Sequence, residues 1–246
     1  MSETRPEIHR SDDTAALARA AAARFVSVVV DAQRARGTAS VVLTGGGTGV
    51  ATLAAVRDLG GDIDWSAVDV FFGDERFLPE GDPERNYVQA RYALLDHVGV
   101  DPDRVHVMAP SDSPLGDDVE AAAVTYLQSV AAFAPDDGPA FDIHLLGMGP
   151  DSHINSLFAH GDAVQEDSRW VVAVTDSPKP PPVRITLTLP AVNRSRHVWF
   201  LVSGEGKADA VAACVGGADP REHPAAGAHG IESTVWFLDS GSASRL

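Results

Sequence analysis

The sequence contains few basic residues, a single cysteine and no long uninterrupted apolar segment. Its 246 residues carry 19 Lys and Arg against 35 Asp and Glu, which gives a formal net charge of −16 at pH 7. Nucleic acids and anionic membranes are bound by basic surfaces, so this balance argues against both as the main partner. The only lysines are Lys179 and Lys207. A bound anion must therefore be held by a few placed cations.

Three further absences narrow the class of protein. Cys214 is the only cysteine, which excludes an internal disulfide and a multi-cysteine metal site. The apolar stretch 15–30 is interrupted by Arg19 and Arg24, so neither a membrane span nor a signal peptide is predicted. No Gly-x-Ser-x-Gly elbow and no His-Glu-x-x-His motif occurs, which disfavours a serine nucleophile and a catalytic zinc. We expect a cytoplasmic protein without a metal.

Apolar segments of strand length alternate with segments of helical periodicity along the chain. Ser11 or Asp12 is predicted to cap a first helix, which is predicted to end at Gly37. This alternation predicts an α/β fold with a mostly parallel, Rossmann-like sheet and helices on both faces. The other predicted strands are 40–44, 68–72, 105–108, 141–146, 171–174, 184–188, 197–203 and 234–238, and the other helices are 50–59, 86–98, 117–133, a short one after 147, and 206–214.

The chain is expected to form a single domain over residues 1–246, a normal size for one α/β domain. Residues 1–10 are expected to be frayed, and residues 216–230 resemble an irregular loop. In a parallel sheet, ligands bind beyond the carboxyl ends of the strands. The loops that follow the strands are therefore where a site is expected, and four of them carry unusual residues.

The first of these segments is a run of glycines after the strand at 40–44. Gly45, Gly46, Gly47 and Thr48 lie between a strand and a helix. Backbone N–H groups at such a helix N-terminus suit a phosphate, although the Gly-Lys-Ser/Thr of a Walker A loop is missing. A phosphate site and a simple tight turn fit this segment about equally well.

The second segment is a group of three charged residues, Asp74, Glu75 and Arg76, directly after the strand at 68–72. We expect a charged loop here. Arg76 is suited to bidentate binding of a phosphate, and the two carboxylates to orienting a base or contacting sugar hydroxyls. Taken alone, a solvated loop with a local ion pair explains these charges better.

The third segment follows the strand at 141–146 and contains Asp151 and His153, which we expect on the first turn of a short helix. A histidine just past a strand end is well placed to act as a general base near neutral pH. The chain has nine histidines, so it is position that favours His153. His144, inside the strand, is expected to be a packed histidine.

The fourth feature is a pair of cations at strand boundaries. Arg184 opens the strand 184–188 after the proline-rich stretch 179–182, which is predicted to be an extended loop. Lys207 lies at a strand-to-helix turn, where a helix N-terminus helps to bind an anion. Each of these residues alone is more readily explained as a surface charge.

Together and in this order, the segments resemble the motifs of the 6-phosphogluconolactonase family. The similarity rests on residues 44–49, 73–76, 145–158, 184–188 and 206–208 and spans most of the chain. It implies a fold shared with glucosamine-6-phosphate deaminase and ribose-5-phosphate isomerase. It also implies hydrolysis of 6-phospho-D-glucono-1,5-lactone to 6-phospho-D-gluconate in the oxidative pentose phosphate pathway, with no cofactor or metal.

On this basis we expect His153, neutral at pH 7, to take a proton from the attacking water and then to protonate the departing ring oxygen. Asp151 is expected to orient His153 or to bind hydroxyls. Arg76, Arg184 and Lys207 are expected to hold the phosphate or the developing oxyanion, assisted by backbone N–H groups of the glycine loop. The expected partner is a small phosphosugar lactone, and a monomer is the favoured oligomeric state.

The sequence departs from the family pattern at Ser152, where relatives usually carry glycine. Glycine is needed where φ is positive or where the backbone approaches a ligand closely. If either holds here, Ser152 strains the turn or crowds the attacking water. Because serine also fits capping positions, we expect activity to be retained.

Two alternative functions stay open. An isomerase or deaminase of an amino-sugar phosphate has the same fold, but Arg76 and residues 156–158 differ from the Asp-Glu-Tyr and Asn-Glu-Pro-Gly stretches of such relatives. A non-catalytic phosphosugar binder, its site spoiled by Ser152, is opposed by the presence of His153 and the three cations.

Overall fold

The structure is a computed structural model that describes residues 6–246. These residues form nine strands and seven helices, joined by loops and short 3₁₀ turns. The strands are β1 (Glu7–Ser11), β2 (Ala39–Leu43), β3 (Val68–Phe72), β4 (Asp74–Arg76), β5 (Phe141–Gly147), β6 (Val171–Val174), β7 (Arg184–Leu187), β8 (Ser195–Val202) and β9 (Ser233–Asp239). The helices are α1 (Thr14–Arg36), α2 (Gly46–Leu59), α3 (Asn86–Ala93), α4 (Val119–Phe133), α5 (Asp162–Gln165), α6 (Leu189–Val192) and α7 (Ala208–Val215).

Six strands form a fully parallel sheet in the order β1-β9-β8-β5-β2-β3, which confirms the predicted α/β fold. Alternate residues along β8 enter different apolar clusters. Trp199 and Leu201 pack with residues of α1, whereas Val198 and Phe200 pack with residues of α7. Strands β2, β3, β5, β8 and β9 are mostly apolar and buried, because both faces of the sheet are covered. Within residues 6–246, no helix combines the length and the apolar character needed to cross a bilayer.

A second, antiparallel sheet of β4, β7 and β6 lies beside the carboxyl ends of the parallel strands. The prediction of a charged loop at residues 74–76 is wrong, because these residues form β4. Arg76 is paired with Arg184 and Glu75 with Ile185. The partner strand lies more than 100 residues away along the chain, so no local pattern announces the pairing.

Helix α1 has the extent that its apolar spacing and flanking residues predict. Its N-cap is Asp13, whose Oδ1 accepts the N–H of Ala16 at 2.7 Å. The cap therefore lies one residue after Asp12 and two after Ser11, the caps predicted from the sequence. It ends at Gly37, which has φ 82°. Glycine adopts this left-handed conformation at low cost.

The predicted fraying of residues 1–10 is wrong for Glu7–Arg10, because these residues belong to β1. Strand β1 pairs in parallel with β9 from Glu7 opposite Val235 to Ser11 opposite Asp239. The backbone hydrogen bonds of this ladder hold the segment at the sheet edge. Residues 1–5 lie outside the described part of the chain.

Three other predicted elements differ. Residues 105–108 form no strand, because only Val105 makes an isolated bridge, to Val70. Helix α3 ends at Ala93 instead of residue 98, because the next residue, Leu94, leaves the helical region with φ −140°. The short helix expected after residue 147 is absent. Ser152 and Asn155 have φ of 64° and 48°, a left-handed conformation that a right-handed helix does not accept.

Candidate active site

One cavity collects the residues that follow the strands at the carboxyl edge of the parallel sheet. Its wall comes from the glycine loop after β2, from β4, from the loop after β5, and from Arg184 and Lys207. All of the site residues predicted from the sequence line it except Asp151 and Glu75. The lining residues are Thr44, Gly45, Gly46, Gly47, Thr48, Gly49, Asp74, Arg76, Asn86, Gly147, Met148, Gly149, His153, Asn155, Arg184, Leu201 and Lys207.

The glycine run forms the first turn of α2 instead of a separate tight turn. The helix begins at Gly46, whose φ of 80° requires glycine. Its N-cap, Gly45, has no side chain to satisfy the first N–H groups of the helix. The N–H of Gly46 donates to Gln89 Oε1 at 3.4 Å. Gly46, Gly47 and Thr48 line the cavity with a helix N-terminus, which favours an anion there.

Strand β4 divides its three charged residues between its two sides, because successive side chains of a strand point to opposite faces. Asp74 and Arg76 line the cavity. Asp74 is buried, and its carboxylate accepts hydrogen bonds from Asn86 Nδ2 at 2.9 Å and from Ser156 Oγ at 2.7 Å. Arg76 donates through Nη1 to the carbonyl of Glu84, and its buried Nε has no partner within residues 6–246.

The structure does not place Glu75 in the cavity. Its carboxylate accepts the backbone N–H groups of Arg76, Asn86 and Tyr87 at 2.9, 2.7 and 3.0 Å. Arg85 Nε lies 3.5 Å from Glu75 Oε2, and both side chains are almost fully buried. Burial raises the pKa of Glu75, while Arg85 and the three N–H groups act in the opposite direction. The expected contact of Glu75 with a sugar is replaced by a structural one.

His153 and Asp151 form a close pair at the edge of the cavity. His153 Nδ1 lies 2.5 Å from Asp151 Oδ1, and the imidazole ring stacks on Phe158 with centroids 4.8 Å apart. The loop comes so close to the ring that a Cβ at Gly149 would lie 2.1 Å from Nδ1. Because Nδ1 faces the carboxylate, a histidine protonated at Nδ1 has an unprotonated Nε2 available as a base.

Lys179, which the sequence analysis did not predict as a site residue, contacts both members of this pair. Its Nζ lies 3.0 Å from Asp151 Oδ1 and 3.0 Å from His153 Nδ1. Burial lowers the pKa of His153; Asp151 opposes this effect and Lys179 adds to it. Partial burial disfavours the Asp151 carboxylate, but its contacts with His153 and Lys179 lower its pKa to about 2. The scarcity of lysine was a usable signal, since it applied to Lys179 as much as to Lys207.

Arg184 is committed mainly to the backbone. Its Nε donates to the carbonyl of Pro181 at 3.1 Å, and its Nη2 donates to the carbonyls of Lys179 and Pro180 at 3.1 and 3.2 Å. Nη1 lies 3.9 Å from Asp74 Oδ2. The guanidinium is buried and lines the cavity, but only one of its edges remains for a ligand.

Two polar residues of the cavity lack partners within the described chain. Lys207, half-buried at the start of α7, forms no ion pair with any carboxylate of residues 6–246; burial lowers its pKa, and the charge of Lys179 does so too. The amide of Asn155 is 8% exposed, and neither its nitrogen nor its oxygen has a hydrogen-bond partner among these residues. The sequence analysis did not single out Asn155. The feature that distinguishes it locally is its left-handed φ of 48°, which only the structure shows.

Ser152 does not line the cavity. Its φ of 64° shows that the backbone has the conformation for which glycine is preferred. The side chain is buried, and its Oγ lies 2.8 Å from His223 Nδ1. The strain anticipated from the sequence is present, whereas crowding of the cavity is not.

His144 is the packed histidine that its strand position predicts. It is fully buried in β5, and burial lowers its pKa to about 3, so it is neutral at physiological pH. No group of three or more His, Cys, Asp or Glu side chains in residues 6–246 has an arrangement that would hold a metal ion.

Comparison with known proteins finds similarity over nearly the whole chain. A family model described as glucosamine-6-phosphate isomerases/6-phosphogluconolactonase matches residues 12–236. The 6-phosphogluconolactonase of Mycobacterium tuberculosis is 57% identical over 236 residues, which covers 95% of this chain and 96% of that protein. That of Streptomyces coelicolor is 54% identical over 255 residues, covering 100% and 96%. The crystal structure of the Thermotoga maritima 6-phosphogluconolactonase superposes with a TM-score of 0.82 at 25% identity, covering 95% and 99%.

Proposed function

The chain belongs to the family of glucosamine-6-phosphate isomerases and 6-phosphogluconolactonases, and from its site we infer that it hydrolyses 6-phospho-D-glucono-1,5-lactone to 6-phospho-D-gluconate. The family resemblance predicted from the sequence is thereby confirmed, and the protein is a lactone hydrolase of the oxidative pentose phosphate pathway. The observation that carries the chemistry is the pair His153 and Asp151 at the edge of a cavity lined by Arg76, Arg184 and Lys207.

We propose that His153 is the general base. Its lowered pKa keeps the imidazole neutral at pH 7, and Nε2 takes a proton from the water that attacks C1 of the lactone. The hydroxyl adds to C1, and the bond between C1 and the ring oxygen then breaks. The imidazolium returns the proton to the departing ring oxygen, so no covalent intermediate is needed. Asp151 supports the imidazolium by its charge and fixes the ring orientation.

Anion binding is divided in this proposal according to which groups are free. Lys207, without a carboxylate partner in the described chain, and the N-terminus of α2 are the groups most available to the phosphate. Arg76 contributes the part of its guanidinium that is not bonded to Glu84. Arg184 mainly fixes the loop 179–181, since Nε and Nη2 donate to that backbone. The unpaired amide of Asn155 is assigned to a sugar hydroxyl.

Further proposals concern the organisation of the protein. One family model matches residues 12–236, which supports a single domain. We retain the cytoplasmic location and the monomeric state expected from the sequence. The partner is a small phosphosugar lactone, and the strongly acidic composition argues against nucleic acid.

The test is acid release from freshly prepared 6-phosphogluconolactone, followed with a pH indicator in weak buffer and corrected for spontaneous hydrolysis. The wild-type protein is expected to accelerate it. The variant His153→Ala is expected to lower kcat by about 100-fold or more with a modest change in KM. The exposed His229 provides a matched control, because His229→Ala removes a histidine outside the cavity.

Each other outcome has its own meaning. A His153→Ala variant with a near wild-type kcat removes His153 from the base role. Ammonia release from glucosamine 6-phosphate supports an isomerase or deaminase instead. If neither substrate is turned over but phosphosugars still bind, the protein is a non-catalytic binder.

A further inference from the structure

We propose that Lys179 is a positioning residue of this reaction: its ammonium group holds Asp151 so that the imidazole of His153 keeps its proton on Nδ1 and presents Nε2 to the water. The proposal rests on the function proposed above, in which His153 is the base. Lys179 lies 26 residues from His153 in the chain, and its side chain does not line the cavity. Its action is therefore exerted through Asp151 and His153.

The three polar atoms are arranged so that the tautomer of His153 decides which contact forms. Asp151 Oδ1 lies 2.5 Å from His153 Nδ1 and 3.0 Å from Lys179 Nζ, and Nζ lies 3.0 Å from Nδ1. If Nδ1 carries the proton, it donates to Asp151, and Nε2 has a free lone pair. If Nδ1 carries the lone pair, it accepts from Lys179, and the protonated Nε2 of the neutral ring is useless as a base.

The carboxylate selects the first of these arrangements. An ionised Asp151 accepts from both Nδ1–H and the ammonium of Lys179, so both donors converge on Oδ1. Contacts with these two residues outweigh the effect of burial and lower the pKa of Asp151 to about 2, so it is ionised at neutral pH. Without Lys179, the carboxylate loses one of the two hydrogen bonds that fix its position.

The backbone of Lys179 is itself held in place. Its carbonyl accepts hydrogen bonds from Ser177 Oγ at 2.9 Å and from Arg184 Nη2 at 3.1 Å. Arg184 also donates to the carbonyls of Pro180 and Pro181. A buried arginine of the cavity thus directs most of its hydrogen-bonding capacity to the loop that carries Lys179. Such fixing of supporting residues is what precise placement of a base requires.

The charges that face His153 give opposite predictions for two variants. Asp151 lies on its own loop, Lys179 on the loop before β7 and Asp74 on β4; the two carboxylates raise the pKa of His153, and Lys179 lowers it. Removing the positive charge with Lys179→Gln should raise that pKa. The acid limb of kcat/KM then moves to higher pH, because the base is protonated over a wider range. Asp151→Asn should move the same limb to lower pH.

The experiment combines kinetics with NMR of the full-length protein. We expect Lys179→Gln to lower kcat at pH 7 by about 10-fold to 100-fold with less change in KM. This loss is smaller than the roughly 10⁴-fold loss that a wrong histidine tautomer causes in a catalytic triad, because Asp151 is still present. Lys179→Arg, which keeps the charge and a donor for Asp151, should restore part of kcat. Arg57→Gln, on the last turn of α2, is the control for loss of one cation.

The ¹⁵N chemical shifts of the His153 ring, recorded without substrate, report the tautomer directly. We expect protonated Nδ1 in the wild type and a larger share of protonated Nε2 in Lys179→Gln. Protonated Nε2 in the wild type overturns the proposal, as does an unchanged acid limb and kcat in Lys179→Gln. If that variant does not fold, the wild-type tautomer and Lys179→Arg still decide. The ring measurements need no substrate. If the wild type is inactive but its His153 ring shows the expected tautomer and the expected change in Lys179→Gln, the lactonase assignment is refuted and the positioning role of Lys179 is not.

Discussion

Among single residues, Ser152 combines an unfavourable backbone conformation with contacts that offset it. A left-handed φ costs about 1–2 kcal/mol for most residues other than glycine. The hydroxyl of Ser152 forms a hydrogen bond with His223, and its carbonyl accepts the N–H of Ala225 at 3.0 Å. Both partners belong to the segment 216–230, which therefore holds the loop next to His153. The side chain contacts this segment instead of the cavity, so serine is compatible with an active site.

The balance at this residue is tested by replacing Ser152 with alanine and with glycine. Alanine keeps the cost of the left-handed φ and loses the hydrogen bond, so Ser152→Ala should lower the free energy of unfolding by about 1 kcal/mol. Glycine loses the same bond but accepts this φ, so Ser152→Gly should be more stable than Ser152→Ala by about 1 kcal/mol. Urea denaturation measures both. An alanine variant as stable as the glycine variant would mean that the backbone at this position is not strained.

Among the secondary-structure elements, helix α3 is anchored by a strand instead of by its own N-cap. Its N-cap, Arg85, makes no side-chain capping hydrogen bond. Glu75 of β4 takes that role, because its carboxylate accepts the N–H groups of Asn86 and Tyr87 in the first turn. A negative charge at a helix N-terminus is favourable. The contact fixes β4 against α3, and so sets the distance between Asp74, Arg76 and Asn86 across the cavity.

This coupling predicts a large effect of Glu75→Gln on stability. The substitution leaves the buried guanidinium of Arg85 without its counter-charge, and the amide places a donor near the N–H of Tyr87 or Asn86. Removing one member of a buried ion pair costs about 3–5 kcal/mol. We expect a loss of that order in the free energy of unfolding, measured by urea denaturation. The exposed Glu80 gives the control: Glu80→Gln should change it by less than about 0.5 kcal/mol. Equal effects of the two variants would refute the anchoring role of Glu75.

For the whole molecule, the dominant electrostatic fact is the net charge of −16 around a cavity that carries Arg76, Arg184 and Lys207. The acidic exterior repels an anionic substrate at long range, and the cavity attracts it at short range. Salt screens the two effects differently, because screening acts over about 10 Å at 0.1 M ionic strength and is weaker for partly buried charges.

This contrast predicts a biphasic dependence of kcat/KM on salt, provided that encounter limits the rate. Added NaCl should first raise kcat/KM by screening the repulsion, and then lower it as the attraction of the cavity cations is screened. The measurement is kcat/KM at constant pH from about 10 mM to 1 M NaCl, with sodium sulfate at matched ionic strength as a test for specific anion binding. A fall from the lowest salt concentration onward would show that the field of the cavity dominates at all distances.

Much of the fold and the location of the site were predictable from sequence because their causes are local. The apolar period and Gly37 define α1, and apolar runs define the parallel strands other than β1. Residues that follow such strands meet at one edge of a parallel sheet. The sequence therefore predicts that the glycine loop, Arg76, His153 and Lys207 are neighbours, and all of them line one cavity.

Only the tertiary structure decided which of these residues face the cavity and which support His153. Strand β4 forms only because β7 pairs with it, and that pairing puts Glu75 on the buried side. Lys179 reaches Asp151 and His153 from a loop more than 20 residues away, held there by Arg184. Such contacts join residues distant in the chain and leave no periodic pattern. The sequence by itself therefore determined the elements and the edge where the site lies, whereas packing determined which charges face the substrate and which support the base.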